Sequence, residues 1–389
     1  MSNSIVIKNK IKQFNNKIIV DGDKSISIRW VLFSSLANGK SKAQNLLMSE
    51  DVVAAIKAVK KLGAKVKFNK NYCTIIGNGP NGYKYKKNIT INAENSGTLG
   101  RLIMGLLIDT PHKIKIVGDK SLSKRDFNRI AKPLKKFGTN IKLTKKGLPL
   151  TIKGIENPLP INYLEKIGSA QVKSSIILAG LKTKGKTFIK SKHSRDHTEI
   201  LCKYLKLPLK VKKEKNYDLI EVKKVKRIKP LNYNIPSDIS SSAFFIVLTA
   251  LSNNSKLLIK NVNINPSRIG IITILKKMNV KINYIQDGDV TGVISVADSN
   301  SNTDIYLGIG GGPEGVLAAA ALDCLGGQMQ TRLVLSDDNE VNRAKKLGIT
   351  DLKRKYNISD MVKGDVIFCA TGVTSGDLAS GVKDLGNEF

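Results

Sequence analysis

The sequence has few cysteines, few aromatic residues and no long apolar segment. Its four cysteines lie far apart in 389 residues and form no CxxC pair, which argues against a disulfide framework and a cysteine-based zinc site. No apolar run approaches the roughly 20 residues that cross a bilayer, and the N-terminus lacks the charged-then-apolar pattern of a signal peptide. We therefore expect a cytoplasmic protein that does not bind membranes.

Acidic residues are scarce in most of the chain but not in its last quarter. Residues 1–283 carry 56 Lys and Arg against 16 Asp and Glu, whereas residues 284–389 carry 9 against 15. Of the 32 glycines, 15 lie in the acidic segment. Two domains of different composition would explain this shift. The motifs described below favour the other explanation, in which two unrelated coding segments are joined near Asn283.

The excess of positive charge over residues 1–283 raises the alternative of a nucleic-acid-binding protein, because basic surfaces attract phosphate backbones. The lysines, however, are scattered along the predicted helices rather than clustered. Aromatic residues make up only 5% of the sequence, and no nucleic-acid-binding motif is present. The sequence therefore disfavours nucleic acid as a partner.

Short β-type runs alternate with predicted helices through the basic segment. Apolar residues recur at helical spacing over 51–62, and Gly63 is suited to end that helix. Gly-Asp-Lys-Ser occurs at 22–25 and again at 118–121, each time between a strand and a helix, which indicates a repeated α/β unit. Further helices are predicted at 26–36, 97–107, 124–137, 169–180, 196–206, 239–251 and 267–278.

Hydroxyl and basic side chains gather where several of these helices begin. Free N–H groups and the positive end of the helix dipole favour anions at such positions. Lys24 and Arg29 add a point charge and a fork-shaped donor suited to phosphate or carboxylate. A capped helix with solvated charges would explain one such junction, but similar sequences recur at 95–101, 121–125, 169–174 and 194–198. The recurrence favours a site for a small molecule with several negative charges.

Seven motifs of this kind follow one another along residues 1–283. They are Gly22-Asp23-Lys24-Ser25-Ile26-Ser27-x-Arg29, Asn95-x-Gly97-Thr98-x-x-Arg101, Gly118-Asp119-x-Ser121-Leu122-x-Lys124-Arg125, Ser169-Ala170-Gln171-Val172-Lys173-Ser174, Arg195-Asp196-His197-Thr198-Glu199, Asp238-Ile239-Ser240-Ser241 and Asn265-Pro266-x-Arg268-x-Gly270. In content and order they resemble the 5-enolpyruvylshikimate-3-phosphate (EPSP) synthase family, the carboxyvinyl transferases of the shikimate pathway. The resemblance implies an α/β enolpyruvate transferase fold, in which each of two lobes is built from three βαβαββ units.

The resemblance also implies substrates and the residues that bind them. The family transfers the carboxyvinyl group of phosphoenolpyruvate to the 5-hydroxyl of shikimate 3-phosphate, releases phosphate and needs no cofactor. The residues expected to bind phosphoenolpyruvate are Lys24, Gly97, Arg125 and Gln171. Those expected to bind shikimate 3-phosphate are Ser25, Arg29, Ser169, Ala170, Gln171 and Arg195.

The sequence departs from the family pattern in two side chains and in length. Ile28 stands where the family usually has His, and we expect it to pack. Asp126 follows Arg125 where Pro is common, and its carboxylate would compete with phosphoenolpyruvate for that guanidinium. The resemblance ends near Asn283, so the expected acid–base Asp and Glu have no counterpart and the catalytic residues are unassigned.

These observations predict a complete and a truncated lobe. We assign 21–232 to the complete first lobe, which binds shikimate 3-phosphate, and 1–20 with 233–283 to a partial second lobe. Residues 284–389 form a further fragment.

The acidic segment carries motifs of another family. A strand is predicted at 304–307, followed by a glycine-rich turn and a helix at 316–325, an arrangement suited to binding an anion. The motifs are Asp287-Gly288-Asp289, Tyr306-x-Gly308-Ile309-Gly310-Gly311-x-Pro313-Glu314-Gly315-Val316, Cys324-Leu325-Gly326-Gly327-x-Met329-Gln330 and Ala370-Thr371-Gly372-Val373-Thr374. They resemble the C-terminal lobe of class II fructose-1,6-bisphosphatase, which makes this segment an α/β sugar-phosphatase-like fragment.

That second resemblance implies a sugar-phosphate site and a metal ligand. Asp287, Gly288, Asp289 and Gly311 would contact the sugar bisphosphate, and Glu314 would bind Mg²⁺ or Mn²⁺. A capping glutamate explains Glu314 equally well. The family's other acidic ligands belong to a lobe without counterpart here, and one carboxylate is too few for a hydrolytic metal centre.

The sequence thus leaves one favoured function and three alternatives. The favoured function is carboxyvinyl transfer, impaired to the extent that the second lobe is incomplete. The alternatives are a metal-dependent sugar phosphatase, an inactive chimera that binds anionic ligands, and the disfavoured nucleic-acid binder.

Overall fold

The computed structural model describes residues 12–69, 72–284, 289–298, 305–308, 311–335 and 338–370. Its residues separate into two units, Met1–Lys281 and Ile282–Phe389. Each unit is described by itself below. The division of the first unit into a complete and a partial lobe, with the residue ranges given above, stays a prediction.

Strands and helices alternate throughout the first unit, as its sequence pattern predicts. The elements of its first part are β1 (Asn15–Ile19), α1 (Lys24–Ser35), β2 (Asn38–Gln44), α2 (Glu50–Lys61), β3 (Lys65–Phe68), β4 (Tyr72–Asn78), β5 (Thr90–Asn92), α3 (Gly97–Leu106), β6 (Ile114–Val117), α4 (Lys120–Ser123), α5 (Asn128–Lys136), β7 (Asn140–Thr144) and β8 (Gly147–Lys153). Those of its second part are β9 (Asn162–Glu165), α6 (Ala170–Gly180), β10 (Lys186–Lys192), α7 (His197–Tyr204), β11 (Leu209–Lys213), β12 (Tyr217–Lys223), β13 (Asn232–Asn234), α8 (Ile239–Ala250), β14 (Lys256–Lys260) and α9 (Gly270–Lys277).

Within the described residues, three four-stranded sheets of the first unit share one strand pattern. Their strand orders are β13-β2-β4-β3, β5-β6-β8-β7 and β9-β10-β12-β11. In each sheet the first pair of strands is parallel and the other two pairs are antiparallel. The repeated order shows that this part of the chain is built from three copies of one α/β unit.

The first copy is closed by a strand from far along the chain. β13 pairs with β2, so that Asn232 lies opposite Lys42. The indole Nε1 of Trp30 donates a hydrogen bond to the carbonyl of Leu231 (3.0 Å), and the backbone N–H of Leu231 donates to Ser41 Oγ (2.9 Å). The chain therefore returns to the sheet of its first helix before it continues into α8.

One helix in each copy is buried on nearly all sides. These helices are α1, α3 and α6, and most residues of each are buried, including polar ones such as Arg29 and Lys173. The second helix of a copy is amphipathic. In α2, for example, Val52, Ile56 and Val59 are buried, while Lys57 and Lys60 are exposed. The three buried helices thus form the centre of the core.

The remaining elements of the first unit form a smaller and more exposed layer. β1 pairs in parallel with β14 over their full lengths. α8 follows the helix predicted at 239–251, yet Ile239 and Ser242 are its buried residues, whereas Phe244 is 79% exposed. This layer therefore carries apolar side chains that its own elements do not cover.

Helices form most of the regular secondary structure in the described part of the second unit. Its elements are α10 (Asp289–Ile294), α11 (Gly312–Leu325), β15 (Gln330–Arg332), α12 (Asp338–Lys346), β16 (Lys355–Asn357) and α13 (Ile358–Met361). The predicted helix is present as α11, and Gly326 ends it with a positive φ of 71°, a conformation that glycine adopts at little cost. The predicted strand at 304–307 is wrong for its described residues: Ile305 and Leu307 are 72% and 77% exposed and belong to no strand.

In the described ranges, no helix combines the length and the apolar character that crossing a bilayer requires.

Candidate active site

The three buried helices begin in the same way. Asp23, Ser96 and Ser169 are the N-cap residues of α1, α3 and α6, and each side chain accepts a hydrogen bond from the backbone N–H three residues later. Such caps hold the first turn in place by satisfying one of its N–H groups. Because the positive ends of three helix dipoles lie in these turns, the sequence around them favours an anion.

Gln171 connects the beginning of α6 with that of α3. Its Oε1 accepts a hydrogen bond from Nη1 of Arg101 (2.6 Å), and its Nε2 donates to Thr98 Oγ1 (3.3 Å). Nη2 of Arg129, on α5, donates to the same Oε1 (3.4 Å). The amide predicted to bind both substrates therefore lies beside two guanidinium groups.

Arg125 joins the same group next to Gly97. A Cβ built on Gly97 would lie 3.1 Å from Nη1 of Arg101 and 3.3 Å from Nη1 of Arg125. Nη2 of Arg125 donates to Asn95 Oδ1 (2.9 Å). A residue without a side chain at position 97 thus leaves space between two cations. We call Gly97, Arg101, Arg125, Arg129 and Gln171 the arginine cluster.

The arginine cluster carries positive charge that its own surroundings leave largely uncompensated. Arg101 is 6% exposed. Its burial, together with the charges of Arg129 and Arg125, lowers its pKa to about 10. Among the described residues, no carboxylate lies within ion-pair distance of these three arginines. Asp126 Oδ1 instead accepts a hydrogen bond from the backbone N–H of Asn128 (2.7 Å), so the carboxylate expected to compete for Arg125 is held by the start of α5.

Arg29 forms a second centre between α1, α6 and α7. Its Nε donates to Thr198 Oγ1 (2.8 Å), its Nη2 to Ser174 Oγ (3.1 Å) and its Nη1 to the carbonyl of Ser25 (3.0 Å). Thr198 Oγ1 in turn donates to Ser174 Oγ (2.7 Å). Arg29 is 4% exposed, and burial lowers its pKa to about 10. We call Arg29, Ser174 and Thr198 the Arg29 triangle.

The arginine cluster and the Arg29 triangle share α6. Gln171 and Ser174 are three residues apart and so lie on one face of that helix. Ser169 is its N-cap residue and Ala170 its first residue. The predicted substrate residues of α6 therefore lie where the two groups meet.

Two predicted residues lie at the edges of this region. Lys24 is the first residue of α1, but its ammonium group pairs with Asp51 Oδ2 (3.2 Å) rather than with either group of arginines. Arg195 is exposed, and its charge lowers the pKa of both Arg29 and the buried His197. The Arg195 guanidinium thus lies close enough to the Arg29 triangle to affect its electrostatics.

The smaller layer of the first unit is tied to the start of α1. Nη1 of Arg268 lies 3.8 Å from Asp23 Oδ2, and Nη2 lies 3.5 Å from Asp238 Oδ1. The second carboxylate oxygen of Asp238 accepts the backbone N–H of Lys24 (3.1 Å). Arg268, although basic and within a motif, is therefore paired with carboxylates, unlike Arg29 and Arg101.

Four residues of the site are absent from the sequence-based assignment. Arg101, Ser174 and Thr198 stand inside motifs, and the spacing of Arg101 from Gly97 and of Ser174 from Gln171 places each on the same helix face as an assigned residue. Arg129 stands outside the motifs, but it follows Arg125 by four residues within a predicted helix. Helical spacing was thus the signal that could have identified Arg101 and Ser174, whereas Arg125 and Arg129 do not share a helix.

The sugar-phosphate residues assigned to the acidic segment are only partly described. Asp287 and Gly288 lie outside the described residues, and Asp289 begins α10. Glu314 lies in the first turn of α11 and its carboxylate approaches Gly311, where a Cβ would overlap it. Over the described ranges, no group of three or more His, Cys, Asp and Glu side chains is placed to hold a metal ion. The described side chains therefore do not fit a hydrolytic metal centre.

The threefold α/β repeat and the arginines gathered around the first two turns of its buried helices define the class of the molecule, an α/β protein of the enolpyruvate transferase fold. The family model for EPSP synthase (3-phosphoshikimate 1-carboxyvinyltransferase) matches residues 8–308. The chain therefore belongs to the EPSP synthase family, and the predicted fold class is confirmed.

Curated relatives and solved structures agree with this assignment. The chain is 37% identical over 296 residues to 3-phosphoshikimate 1-carboxyvinyltransferase of Caldicellulosiruptor saccharolyticus (74% of this chain, 68% of the relative). It is 39% identical over 291 residues to that of Ruthia magnifica (75% and 66%), and 38% identical over 267 residues to that of Bacillus cereus (68% and 61%). A solved EPSP synthase from Acinetobacter baumannii is similar with a TM-score of 0.65 at 37% identity, covering 71% of this chain and 64% of that one.

The chain thus spans about two thirds of the length of these relatives. A second family model, for bacterial fructose-1,6-bisphosphatase, glpX-encoded, matches residues 258–389. The two family models overlap over 258–308. Both resemblances seen in the sequence are therefore confirmed, with a change of family in the region of the expected junction.

Proposed function

We propose that the first unit binds shikimate 3-phosphate and phosphoenolpyruvate and catalyses transfer of the carboxyvinyl group between them. One observation carries the proposal. Arg29 and Arg101 are 4% and 6% exposed, yet among the described residues neither has a carboxylate partner. A buried charge is costly unless it is paired, and an anionic ligand would form the direct ion pair that both arginines lack.

The Arg29 triangle and the arginine cluster each suit one of the two substrates. The Arg29 triangle, with Ser25, Arg195 and the first turn of α6, presents a guanidinium among hydroxyl groups, which suits a phosphorylated sugar acid. The arginine cluster presents several guanidinium groups around a residue without a side chain, which suits the compact phosphate and carboxylate of phosphoenolpyruvate. Gln171 lies where the two groups meet, in accordance with its assignment to both substrates.

The chemistry follows from this placement. The 5-hydroxyl group gives up its proton as its oxygen forms a bond to C2 of phosphoenolpyruvate, and the methylene carbon gains a proton and becomes a methyl group. The bond between C2 and the phosphate oxygen then breaks, phosphate leaves with the bonding electrons, and loss of a proton from the methyl group forms the C=C bond again. The arginines bind and orient both anions and stabilise the negative charge that moves to the departing phosphate. Neither step needs a cofactor. The acid–base residues stay unassigned, because the motifs of the family end near Asn283, before its expected Asp and Glu.

The binding step is tested by calorimetry with purified protein. We expect shikimate 3-phosphate to bind, and Arg29→Gln to weaken its affinity about a hundredfold, because a charged, buried contact to the anion is lost. Arg227→Gln removes the same charge from an exposed position and serves as the matched control, with little change expected. Equal losses in both variants would point to general electrostatic attraction instead of a defined site.

The transfer step is tested by phosphate release from phosphoenolpyruvate in the presence of shikimate 3-phosphate. We propose that this chain is a splice of two truncated enzymes with an incomplete second lobe. We therefore expect its turnover to be far slower than that of a full-length relative. Turnover within about tenfold of a full-length relative, or about 1.4 kcal/mol in barrier height, would show that other residues of this chain supply the missing groups. We further propose a cytoplasmic location, where both substrates would be available.

The family-model match over 258–389 favours a second candidate, a sugar-bisphosphate-binding function of the second unit. We derive no hydrolytic step for it, because the described side chains do not fit a metal centre. Binding of fructose 1,6-bisphosphate with Mn²⁺ present, weakened by Glu314→Gln, would support this candidate. Phosphate release from the bisphosphate would extend it to a phosphatase.

A further inference from the structure

A fully buried lysine is next in sequence to Ser174 of the Arg29 triangle. Lys173 follows Val172 in the buried helix α6, and its side chain is 0% exposed. Its Nζ lies 2.7 Å from Glu199 Oε1 on α7 and 3.4 Å from Asp218 Oδ2 on β12. The lysine thus joins three elements through ionic contacts that solvent does not reach.

The two halves of this ion pair are sequence neighbours of the residues that hold Arg29. Lys173 precedes Ser174, the acceptor of Arg29 Nη2, and Glu199 follows Thr198, the acceptor of Arg29 Nε. The ion pair and the triangle therefore fix the same register between α6 and α7. A shift of either helix would break both sets of contacts.

Arg29 depends on that register because its orientation rests on neutral oxygens. Three N–H groups of its guanidinium are used by Thr198, Ser174 and the carbonyl of Ser25. A guanidinium has five such groups, so two are left for a ligand. Within the described residues, Arg29 forms no ion pair that would hold it in place independently of α6 and α7.

We propose that Lys173 and Glu199 are positioning residues, which lock α6 to α7 and so hold Arg29 ready to bind the phosphorylated sugar acid. Neither residue touches the substrate in this proposal. The inference rests on the proposed function for the identity of the ligand, but the orientation of Arg29 can be measured without any ligand.

Glu199→Gln separates positioning from simple electrostatics. The amide keeps the size of the side chain and a hydrogen-bond acceptor for Lys173, while Asp218 still balances the charge of the lysine. Removal of a negative charge near Arg29 would by itself strengthen anion binding. Loss of the ion pair between Lys173 and Glu199 would weaken anion binding. The two effects have opposite signs, so the direction of the change decides between them.

The experiment compares Glu199→Gln with Asp109→Asn in the full chain. Asp109 pairs with Lys182, which like Lys173 is buried, and Asp109→Asn therefore removes the carboxylate partner of a second buried lysine, away from the Arg29 triangle. By calorimetry we expect shikimate 3-phosphate to bind Glu199→Gln about tenfold more weakly than wild type, and Asp109→Asn within about twofold of wild type. Unchanged or tighter binding by Glu199→Gln would overturn the proposal.

The second measurement is the side-chain Nε–H signal of Arg29 in nitrogen-15 NMR spectra of the unliganded protein, assigned by its loss in Arg29→Lys. We expect slow solvent exchange in wild type and in Asp109→Asn, and faster exchange in Glu199→Gln. Equally slow exchange in Glu199→Gln would refute the positioning role. If wild type binds no shikimate 3-phosphate, the proposed function fails, and this signal alone decides whether Glu199 positions Arg29.

Discussion

Gly97 shows how one missing side chain shapes the site. A Cβ at this position would lie close to the guanidinium groups of both Arg101 and Arg125, at the place where we propose that phosphoenolpyruvate binds. At the same time Gly97 begins α3, where alanine is the better helix former by up to about 1 kcal/mol. Binding and stability therefore make different demands on this residue.

We predict that Gly97→Ala weakens phosphoenolpyruvate binding about tenfold without lowering the thermal unfolding midpoint. The added methyl group takes up space between the two arginines while improving helix propensity. Calorimetry and thermal unfolding measure the two effects. Gly270→Ala is the matched control, because Gly270 begins α9 and its Cβ would meet nothing within 4 Å. Equal effects of both variants on binding would contradict the steric explanation.

A second residue-scale prediction concerns His193, which borders the buried ion-pair network. Its Nδ1 lies 3.1 Å from Asp218 Oδ1 and its Nε2 lies 3.1 Å from the carbonyl of Lys215. The contact with the Lys215 carbonyl, and after it that with the Asp218 carboxylate, raises the pKa of His193 above the ordinary value. A raised pKa means that the folded state favours protonated His193. The resulting stabilisation is complete below the unfolded pKa of about 6.5 and is lost as the pH rises through the higher folded pKa.

We therefore predict that His193→Gln lowers the thermal midpoint at about pH 5.5 and leaves it unchanged at about pH 8.5. The measurement is the difference between the midpoints of wild type and variant across this range. A difference that grows toward alkaline pH would have the wrong sign and would refute the assignment of the stabilisation to protonated His193.

The sequence predicted residue types better than it predicted their partners. Arg29, Gln171 and Arg125 follow from motifs, and Ile28 is fully buried as expected. The pairing of Lys24 with Asp51 was not foreseen, because it depends on how α1 packs against α2. Contacts between elements distant in sequence are set by tertiary packing, which a motif does not encode.

At the scale of elements, the caps of the buried helices link fold and site. Ser96 is fully buried, and its Oγ accepts the N–H of Leu99 at the start of α3. Ser49 occupies the same position before α2, but its side chain makes no capping hydrogen bond. Comparing the two serines therefore separates the effect of the capping hydrogen bond on stability from the effect of having serine at the N-cap.

We predict that Ser96→Ala lowers the free energy of unfolding by about 1 kcal/mol, whereas Ser49→Ala has little effect. Urea unfolding can be followed through Trp30, the single tryptophan of the chain, which lies in the core of the first unit and so reports on that unit. Similar losses in the two variants would show that the capping hydrogen bond is not the source of the stability.

The helices that the sequence predicts are present to within a few residues, whereas the short helix α4 and the helices α10, α12 and α13 were not predicted. The helix predicted at 124–137 begins four residues late, as α5, because Arg125, Asp126 and Phe127 are not helical, and the short helix α4 lies before the predicted range. Phe127 is buried, and the guanidinium of Arg101 lies 5.2 Å from the centre of its ring. Packing of Phe127 beneath the arginine cluster thus overrides local helix propensity, at the very point where the site is formed.

At the scale of the whole molecule, the complete and partial lobes of our assignment differ in how much apolar surface they bury. The three repeated α/β copies bury one helix each on nearly all sides, whereas α8 leaves most of its apolar residues accessible. The chain also spans only about two thirds of the length of its relatives. The exposed face of α8 is consistent with a layer that lacks the neighbouring copies of its own lobe, and a contiguous apolar surface of this kind promotes association.

We predict that the purified chain self-associates through α8, and that Phe244→Gln combined with Leu251→Gln weakens this association by on the order of tenfold to a hundredfold. Phe244 and Leu251 are 79% and 80% exposed, so their replacement costs little in folding but removes apolar contact area between copies. Sedimentation velocity over a concentration series measures the association. Ile167→Gln replaces an equally exposed apolar residue elsewhere in the first unit (80%) and should leave the association unchanged. A wild-type chain that stays monomeric at about 100 μM, some 5.5 kcal/mol of association free energy, would show that the partial lobe is covered in solution and that α8 is not a free surface.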